Sequence, residues 1–177
     1  MMELKEKTVR KNYIYRGKIL NLRCDDALLP DGNPCQREIV EHSGGAAVLC
    51  IVEEKVALVK QYRYAYGEEI YEIPAGKLEK GEDPVKAAIR ELFEETGLLA
   101  EKMNHLFTLY PSPGYTDEKI YIYKAEGIRQ GKEHLDEGEF LNVELIPLSQ
   151  AYGMIDRGEI RDAKTVAALF YFRNRIQ

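Results

Sequence analysis

Glu82, Arg90, Glu91, Glu94 and Glu95 crowd acid and base into one short stretch, residues 76–98, GKLEKGEDPVKAAIRELFEETGL. Placed on a helix, Glu91, Glu94 and Glu95 stand at i, i+3 and i+4. There they repel one another by a few tenths of a kcal/mol per pair, roughly, and Arg90, four residues before Glu94, relieves only part of that. A hard divalent cation would turn the repulsion into coordination, because Mg²⁺ takes oxygen ligands at ~2.0–2.1 Å and keeps waters and substrate phosphate in its shell. The plainer alternative for such a cluster is a solvated acidic helix face.

The residues around the cluster specify the helix that would carry it. Asp83 is a good N-cap, Pro84 suits the first helical position because no amide there needs a partner, and Gly97 can end the helix in a left-handed conformation. The predicted helix therefore runs from about 84 to 96. At roughly 100° per residue, Val85, Ala88, Ile89, Leu92 and Phe93 form one apolar stripe and Glu91, Glu94 and Glu95 gather on another side. The apolar stripe is expected to face the core, and the acids to face away from it.

Taken in full, the spacing is Gly76, five residues, Glu82, seven residues, Arg90-Glu91-Leu92, one residue, Glu94-Glu95, one residue, Gly97-Leu98. This resembles the Nudix box of the Nudix hydrolases, with every defining position filled and in its loop–helix context. The resemblance implies hydrolysis of a nucleoside diphosphate linked to another group, by water attack at a pyrophosphate phosphorus with Mg²⁺ or Mn²⁺. It also implies Glu91 and Glu95 as principal metal ligands, Glu94 as a further or water-mediated one, and the backbone carbonyl of Ala75 completing the site. Glu82 and Arg90 are implied in support, orienting the ligands.

The rest of the chain fits a small enzyme. With 177 residues, 45% hydrophobic and 31% charged, it is long enough for one core and reads as a globular protein. Its first residues, MMELKEKTVRKN, are charged throughout and no stretch approaches 18 apolar residues, so the expectation is a cytoplasmic protein with no membrane partner. Cys24, Cys35 and Cys50 lack zinc-site spacing and are expected to be reduced thiols, with Cys50 buried in the run AAVLCIV. A net charge of −5 argues against a broad nucleic-acid surface.

The expected fold is α+β. Residues 1–43 read as an N-terminal antiparallel β arm: YIYRG, then KILNLRCDDALL, a turn at residues 30–34, and CQREIVEH. Residues 44–177 read as the catalytic body. In it AAVLCIV and VALVKQYRY form a strand pair, EEIYEIPAG is a strand feeding the Gly76 loop, and strands are predicted at 106–110, 119–125 and 143–146. Helices are predicted at 149–157 and 162–175, the second capped by Asp162 with Val166, Leu169, Phe170 and Ile176 on its apolar face. Tyr62, Tyr64 and Tyr66 alternate as strand residues do. A mixed sheet with helices packed on it suggests an α/β/α sandwich, and the Nudix resemblance implies the same.

Outside the box, Ser112-Pro113-Gly114 followed by Tyr115-Thr116-Asp117-Glu118 resembles the ADP-ribose pyrophosphatase branch, which carries a proline about fifteen residues beyond its box. The resemblance extends over Arg37-Glu38-Ile39-Val40, Lys60-Gln61-Tyr62-Arg63, Glu72-Ile73-Pro74-Ala75-Gly76 and Asp162-Ala163-Lys164-Thr165, nearly the whole chain. It implies ADP-ribose as substrate, cleaved to AMP and ribose 5-phosphate, and a homodimer with exchanged N-terminal arms. Arg37 and Arg63 are then candidates for phosphate or adenine contacts, with surface ion pairs as the alternative. Pro113 and Gly114 mark a substrate loop, or an ordinary turn; Glu118 contacts the terminal ribose or a metal-bound water. Ile19 occupies the place that packs on adenine in related enzymes, or is simply a strand residue facing the core. The general base is implied in the acidic loop 134–139, as Glu137 with Glu139 the alternate. Two other functions stay open: a pyrophosphatase for another ADP- or GDP-sugar, and a non-catalytic nucleotide sensor.

Overall fold

A computed structural model describes residues 3–131 and 140–175. Within them the strands are β1 (Lys7–Arg10), β2 (Tyr13–Arg16), β3 (Leu20–Leu28), β4 (Pro34–His42), β5 (Gly45–Val52), β6 (Lys55–Arg63), β7 (Glu68–Glu72), β8 (Ala75–Lys77), β9 (Leu98–Leu99), β10 (Lys102–Leu109), β11 (Ile120–Glu126), β12 (Arg129–Gln130) and β13 (Leu141–Pro147). The helices are α1 (Pro84–Thr96), α2 (Leu148–Asp156) and α3 (Ala163–Arg173). Two compact units result, one of residues 1–44 with 110–119 and one of residues 45–109 with 120–177.

The larger unit is built on β5. Its run of small and branched apolar residues is long enough for a strand and shows no single polar face, as a strand covered on both sides should. Ala47 and Leu49 point into one core with Val56, Leu58, Ile73, Ile122, Ala151, Met154, Ala168 and Leu169, under α2 and α3. Ala46, Val48 and Cys50 point into the other with Ala57, Ala87, Ala88 and Leu92, under α1. Alternate residues of one strand thus fill two cores. Leu49, Leu58, Ile122, Leu92 and Leu169 are each fully buried, contributing about 1.5–3 kcal/mol apiece.

The sheet order is β10-β11-β5-β6-β13, with β7 also on β6 and β8 also on β5. Only the β11–β5 pair among these is parallel, so the sheet is mixed, with helices on both faces. The architecture is the α+β sandwich expected from the sequence. One predicted strand, EEIYEIPAG, is in fact two. β7 pairs with β6, and after Ile73-Pro74 the chain moves over to pair β8 with β5. Pro74 has no amide to extend the first ladder, and its carbonyl accepts from Val48 N–H at 2.8 Å.

The smaller unit is the β3–β4 hairpin, in register from Leu28↔Pro34 to Leu20↔His42, with β1 and β2 in turn on the other edge of β3. β1 was not anticipated, because KTVR carries no apolar alternation. Ile19 is not a core-facing strand residue: it lies in a bend before β3 and is 63% exposed. Nor are all three tyrosines strand residues. Tyr62 lies in β6, but Tyr64 and Tyr66 stand in a turn closed by Tyr66 N–H and Gly67 N–H on the Arg63 carbonyl.

Candidate active site

The acidic helix forms where its caps place it. Asp83 Oδ1 accepts from Val85 N–H at 2.9 Å, Pro84 opens the first turn, and Gly97, at φ 68°, donates its N–H to the Phe93 carbonyl. The buried face differs from the expected one. It comprises Ala87, Ala88, Glu91, Leu92, Glu95 and Thr96, whereas Ile89 is 43% exposed. Two of the three acids therefore lie on the side that packs toward the sheet. The expected separation of core face and acidic face is replaced by a shared one.

What the acids meet there is backbone. Glu95 Oε2 accepts from Ala75 N–H at 2.9 Å. A Cβ built on Gly76 would fall 1.9 Å from Glu91 Oε1 and 2.0 Å from its carboxyl carbon, so only glycine lets that carboxylate lie against the strand. Burying a carboxylate is costly unless it is paired or bonded, and β8 supplies part of that environment.

Arg90 supplies more. Its Nη1 donates to Glu91 Oε1 at 2.7 Å and to Glu94 Oε2 at 2.8 Å, while Nε and Nη2 each meet Glu82 at 3.1 Å. Glu82 in turn accepts from Glu79 N–H at 2.9 Å, which fixes the loop before the helix. The Glu82 hydrogen bonds, and then the charge of Glu91 and the hydrogen bonds to Glu94 and Glu91, raise the pKa of the Arg90 guanidinium above its ordinary value, against burial. Reciprocally, Arg90 draws the Glu82 carboxyl below the usual carboxylate range.

Among the described residues no group of three acidic, histidine or cysteine side chains is arranged to hold a metal ion; Glu91 and Glu94 are instead bonded by Arg90. The donor set nonetheless suits a hard cation. Glu91, Glu94 and Glu95 are oxygen donors, and the Ala75 carbonyl belongs to the strand against which two of them lie.

Arg63, at the end of β6, is held by a forked pair to Glu72, with Nε to Oε1 at 2.5 Å and Nη2 to Oε2 at 2.8 Å. Glu72 is 2% exposed and also bonds the Lys164 ammonium. Its hydrogen bonds keep the Arg63 guanidinium above its ordinary pKa; burial opposes this, and the field of Glu95 adds to it.

The other candidates lie in the smaller unit. Arg37 forks onto Glu6 at 2.6 and 2.9 Å and remains partly exposed. Pro113 and Gly114 sit in an exposed turn, where Tyr115 N–H meets the Ser112 carbonyl at 3.2 Å. That turn is anchored on β4: Val40 N–H donates to the Tyr115 carbonyl, Asp117 N–H to the Val40 carbonyl, and His42 N–H to Asp117 Oδ1. Glu118 lies 3.3 Å from His42 Nδ1. Glu137 and Glu139 lie outside the described residues.

Glu72 and Lys164 stand in the quoted motifs, but the sequence alone assigns neither a role. A signal was present in both cases: a glutamate at the end of a strand just ahead of Ile-Pro-Ala, and a lysine in the first turn of a helix continuing Thr-Val-Ala-Ala-Leu-Phe.

Comparison with known proteins adds what geometry cannot. Residues 41–169 match the NUDIX domain, and residues 6–40 the nucleoside diphosphate sugar hydrolase N-terminal domain. An ADP-ribose pyrophosphatase of Bacillus subtilis (strain 168) is 43% identical over 176 residues, 98% of this chain and 95% of that protein. A methanol dehydrogenase activator of Bacillus methanolicus is 44% identical over 171 residues, 95% and 92%. A crystal structure of an ADP compounds hydrolase superposes with a TM-score of 0.85 at 23% identity, covering 97% of this chain and 94% of that one, which establishes the fold.

Proposed function

The chain belongs to the Nudix family, and we propose that it hydrolyses the pyrophosphate bond of ADP-ribose to AMP and ribose 5-phosphate by attack of water, with Mg²⁺ as the cofactor and Mn²⁺ as its alternate. The observation that carries this reading is the seating of two buried carboxylates, Glu91 and Glu95, on the Ala75–Gly76 backbone. The Bacillus subtilis relative, similar along nearly the whole chain, supports the choice of substrate.

Glu91, Glu95, Glu94 and the Ala75 carbonyl would hold the cation. When bound, it supplies charge neutralisation at the phosphate oxygens and acidifies a water. Glu82 and Arg90 keep the carboxylates in place before substrate arrives, which spares their reorganisation during reaction. Arg63 meets the diphosphate with the edge of its guanidinium that Glu72 does not use, and Arg37 offers a second cation to the nucleotide once Glu6 releases it. Glu137, with Glu139 the alternate, accepts the proton of the attacking water. Pro113, Gly114 and Glu118 shape the end that takes the terminal ribose, and Ile19 lies against adenine.

We also infer a cytoplasmic homodimer. The three free cysteines suit a reducing compartment; Val9, Tyr13, Ile14 and Tyr15 expose apolar surface along the N-terminal strands, and Ile19 in the bend before β3, as an exchanged arm would. No helix among the described residues is long and apolar enough to cross a membrane.

The test is a set of parallel assays with Mg²⁺ and equal concentrations of ADP-ribose, ADP-glucose, GDP-mannose, NADH and a diadenosine polyphosphate. kcat/KM highest for ADP-ribose, with AMP and ribose 5-phosphate as products, is the expected result. Preference for another nucleotide sugar would retain the chemistry and reject the substrate; turnover of none would favour a nucleotide sensor.

A further inference from the structure

The buried Glu72 and Lys164 form, with the partly buried Asp162, an ionic chain that ends on Arg63. Glu72 is 2% exposed and Lys164 8%. The Glu72 carboxylate is shared between the forked Arg63 guanidinium and the Lys164 ammonium. Lys164 Nζ also lies 3.1 Å from Asp162 Oδ1. The other oxygen of Asp162 caps α3, accepting from Thr165 N–H at 3.0 Å and from the Thr165 hydroxyl at 2.6 Å, and Thr165 Oγ1 accepts from Ile73 N–H at 2.8 Å. The first turn of α3 is thereby fastened both to the Glu72 side chain and to the backbone of Ile73, just ahead of the Ala75–Gly76 segment on which Glu91 and Glu95 rest.

Two features make this more than packing. A lysine in the first turn of a helix faces the positive end of the helix dipole, and burial adds to the cost. Glu72 and Asp162 offset both, yet apolar residues of similar size would generally hold the fold as well. Departures from a local rule of this kind gather where function requires them. The second feature is direction. Arg63 is the one member with substantial exposure, its side chain 41% accessible, and its guanidinium lies in the field of Glu95. The fork to Glu72 uses Nε and Nη2, so Nη1 is not committed to that carboxylate.

We propose that Glu72 and Lys164 are positioning residues for Arg63, holding its guanidinium in one orientation so that its outer edge meets the substrate diphosphate. Neither touches substrate: both are buried, and Lys164 acts through Glu72. The inference rests on the proposed role of Arg63 as a phosphate contact.

The test uses the full-length protein and ADP as a metal-free binding probe in calorimetry, alongside ADP-ribose kinetics. Glu72→Gln/Lys164→Met removes one charge of each sign, and should leave the melting temperature within about 5 °C of wild type. ADP affinity should fall on the order of 10-fold, with kcat/KM falling through KM more than through kcat. Combined with Arg63→Ala, the pair should add nothing to the loss caused by Arg63→Ala alone, since residues acting through one group are not additive. Arg63→Lys, which keeps the charge at an accessible position but not the fork, should lose most of the ADP affinity. Wild-type ADP affinity in the double variant or in Arg63→Lys, or losses that multiply with Arg63→Ala, would overturn the proposal. Should the double variant fail to fold, Arg63→Lys decides alone. Failure of wild type to cleave ADP-ribose would instead reject the substrate, while the ADP measurements would still report on positioning.

Discussion

At the scale of single residues the site depends on one missing side chain. Gly76 has no left-handed backbone to explain it; what it provides is space, since a methyl there would stand 1.9 Å from Glu91 Oε1. Gly76→Ala must displace either β8 or the carboxylate. The expected cost is roughly 1–3 kcal/mol in urea unfolding, and, if Glu91 is a metal ligand, a fall in kcat/KM of about 10–100-fold. Wild-type values for both would show that Glu91 does not use this cradle. The acids themselves were legible from their types and spacing. Their burial was not, because a helical wheel assigns charge to the solvent side, and only the tertiary approach of β8 reverses that for Glu91 and Glu95. Arg63 was legible as a cation, but Glu72 lies nine residues from it in the chain and Lys164 ninety-two residues from Glu72, beyond the reach of periodicity.

At the scale of elements, local chemistry decided what could be read. Asp83, Pro84 and Gly97 delimit α1 at Pro84–Thr96, within the expected bounds, because caps act through backbone groups a few residues away. β5 was readable as a continuous apolar run; its turn into β6 is made by Glu53 and Glu54, which both adopt positive φ, 48° and 60°, where Asn-Gly is the usual choice. Elements specified by pairing rather than by their own residues escaped. β9 and β12 are two residues each and exist by pairing with one another. The tyrosine alternation misled because its period matches a strand while Gly67, at φ 68°, permits the turn that interrupts it. The β7–β8 split follows from Pro74, a signal present in the sequence but read there only as part of a motif.

At the scale of the whole molecule, ionisation sets the range of stability. Burial alone would raise Glu72, but the Arg63 hydrogen bonds and the Lys164 charge outweigh it and leave its pKa below the ordinary 4.5; Glu82 is lowered by Arg90. Groups whose folded pKa is depressed contribute stability that is present above the unfolded value and lost as pH falls through the folded one. Cys50 works in the opposite sense: burial raises its thiol from 9.0 to about 12, so its contribution is complete below pH 9.0 and lost as pH rises toward 12. The melting temperature should therefore form a plateau between about pH 5 and 9 and decline on either side. In Glu72→Gln/Lys164→Met the acid limb should be shallower, measured by thermal denaturation across pH; an unchanged limb would mean that Glu72 is not depressed in the folded state.

The most direct measurement compares wild type with Glu95→Gln, recording both the initial rate of AMP release from ADP-ribose with Mg²⁺ and the dissociation constant for ADP-ribose. Glu95 is the carboxylate fixed on Ala75 N–H, and a glutamine keeps its shape and a hydrogen-bond acceptor. If the acidic face of α1 is the catalytic centre, AMP release falls by roughly 100-fold or more while ADP-ribose still binds within a few-fold of wild type. AMP release at the wild-type rate from Glu95→Gln would place the chemistry elsewhere and contradict the account.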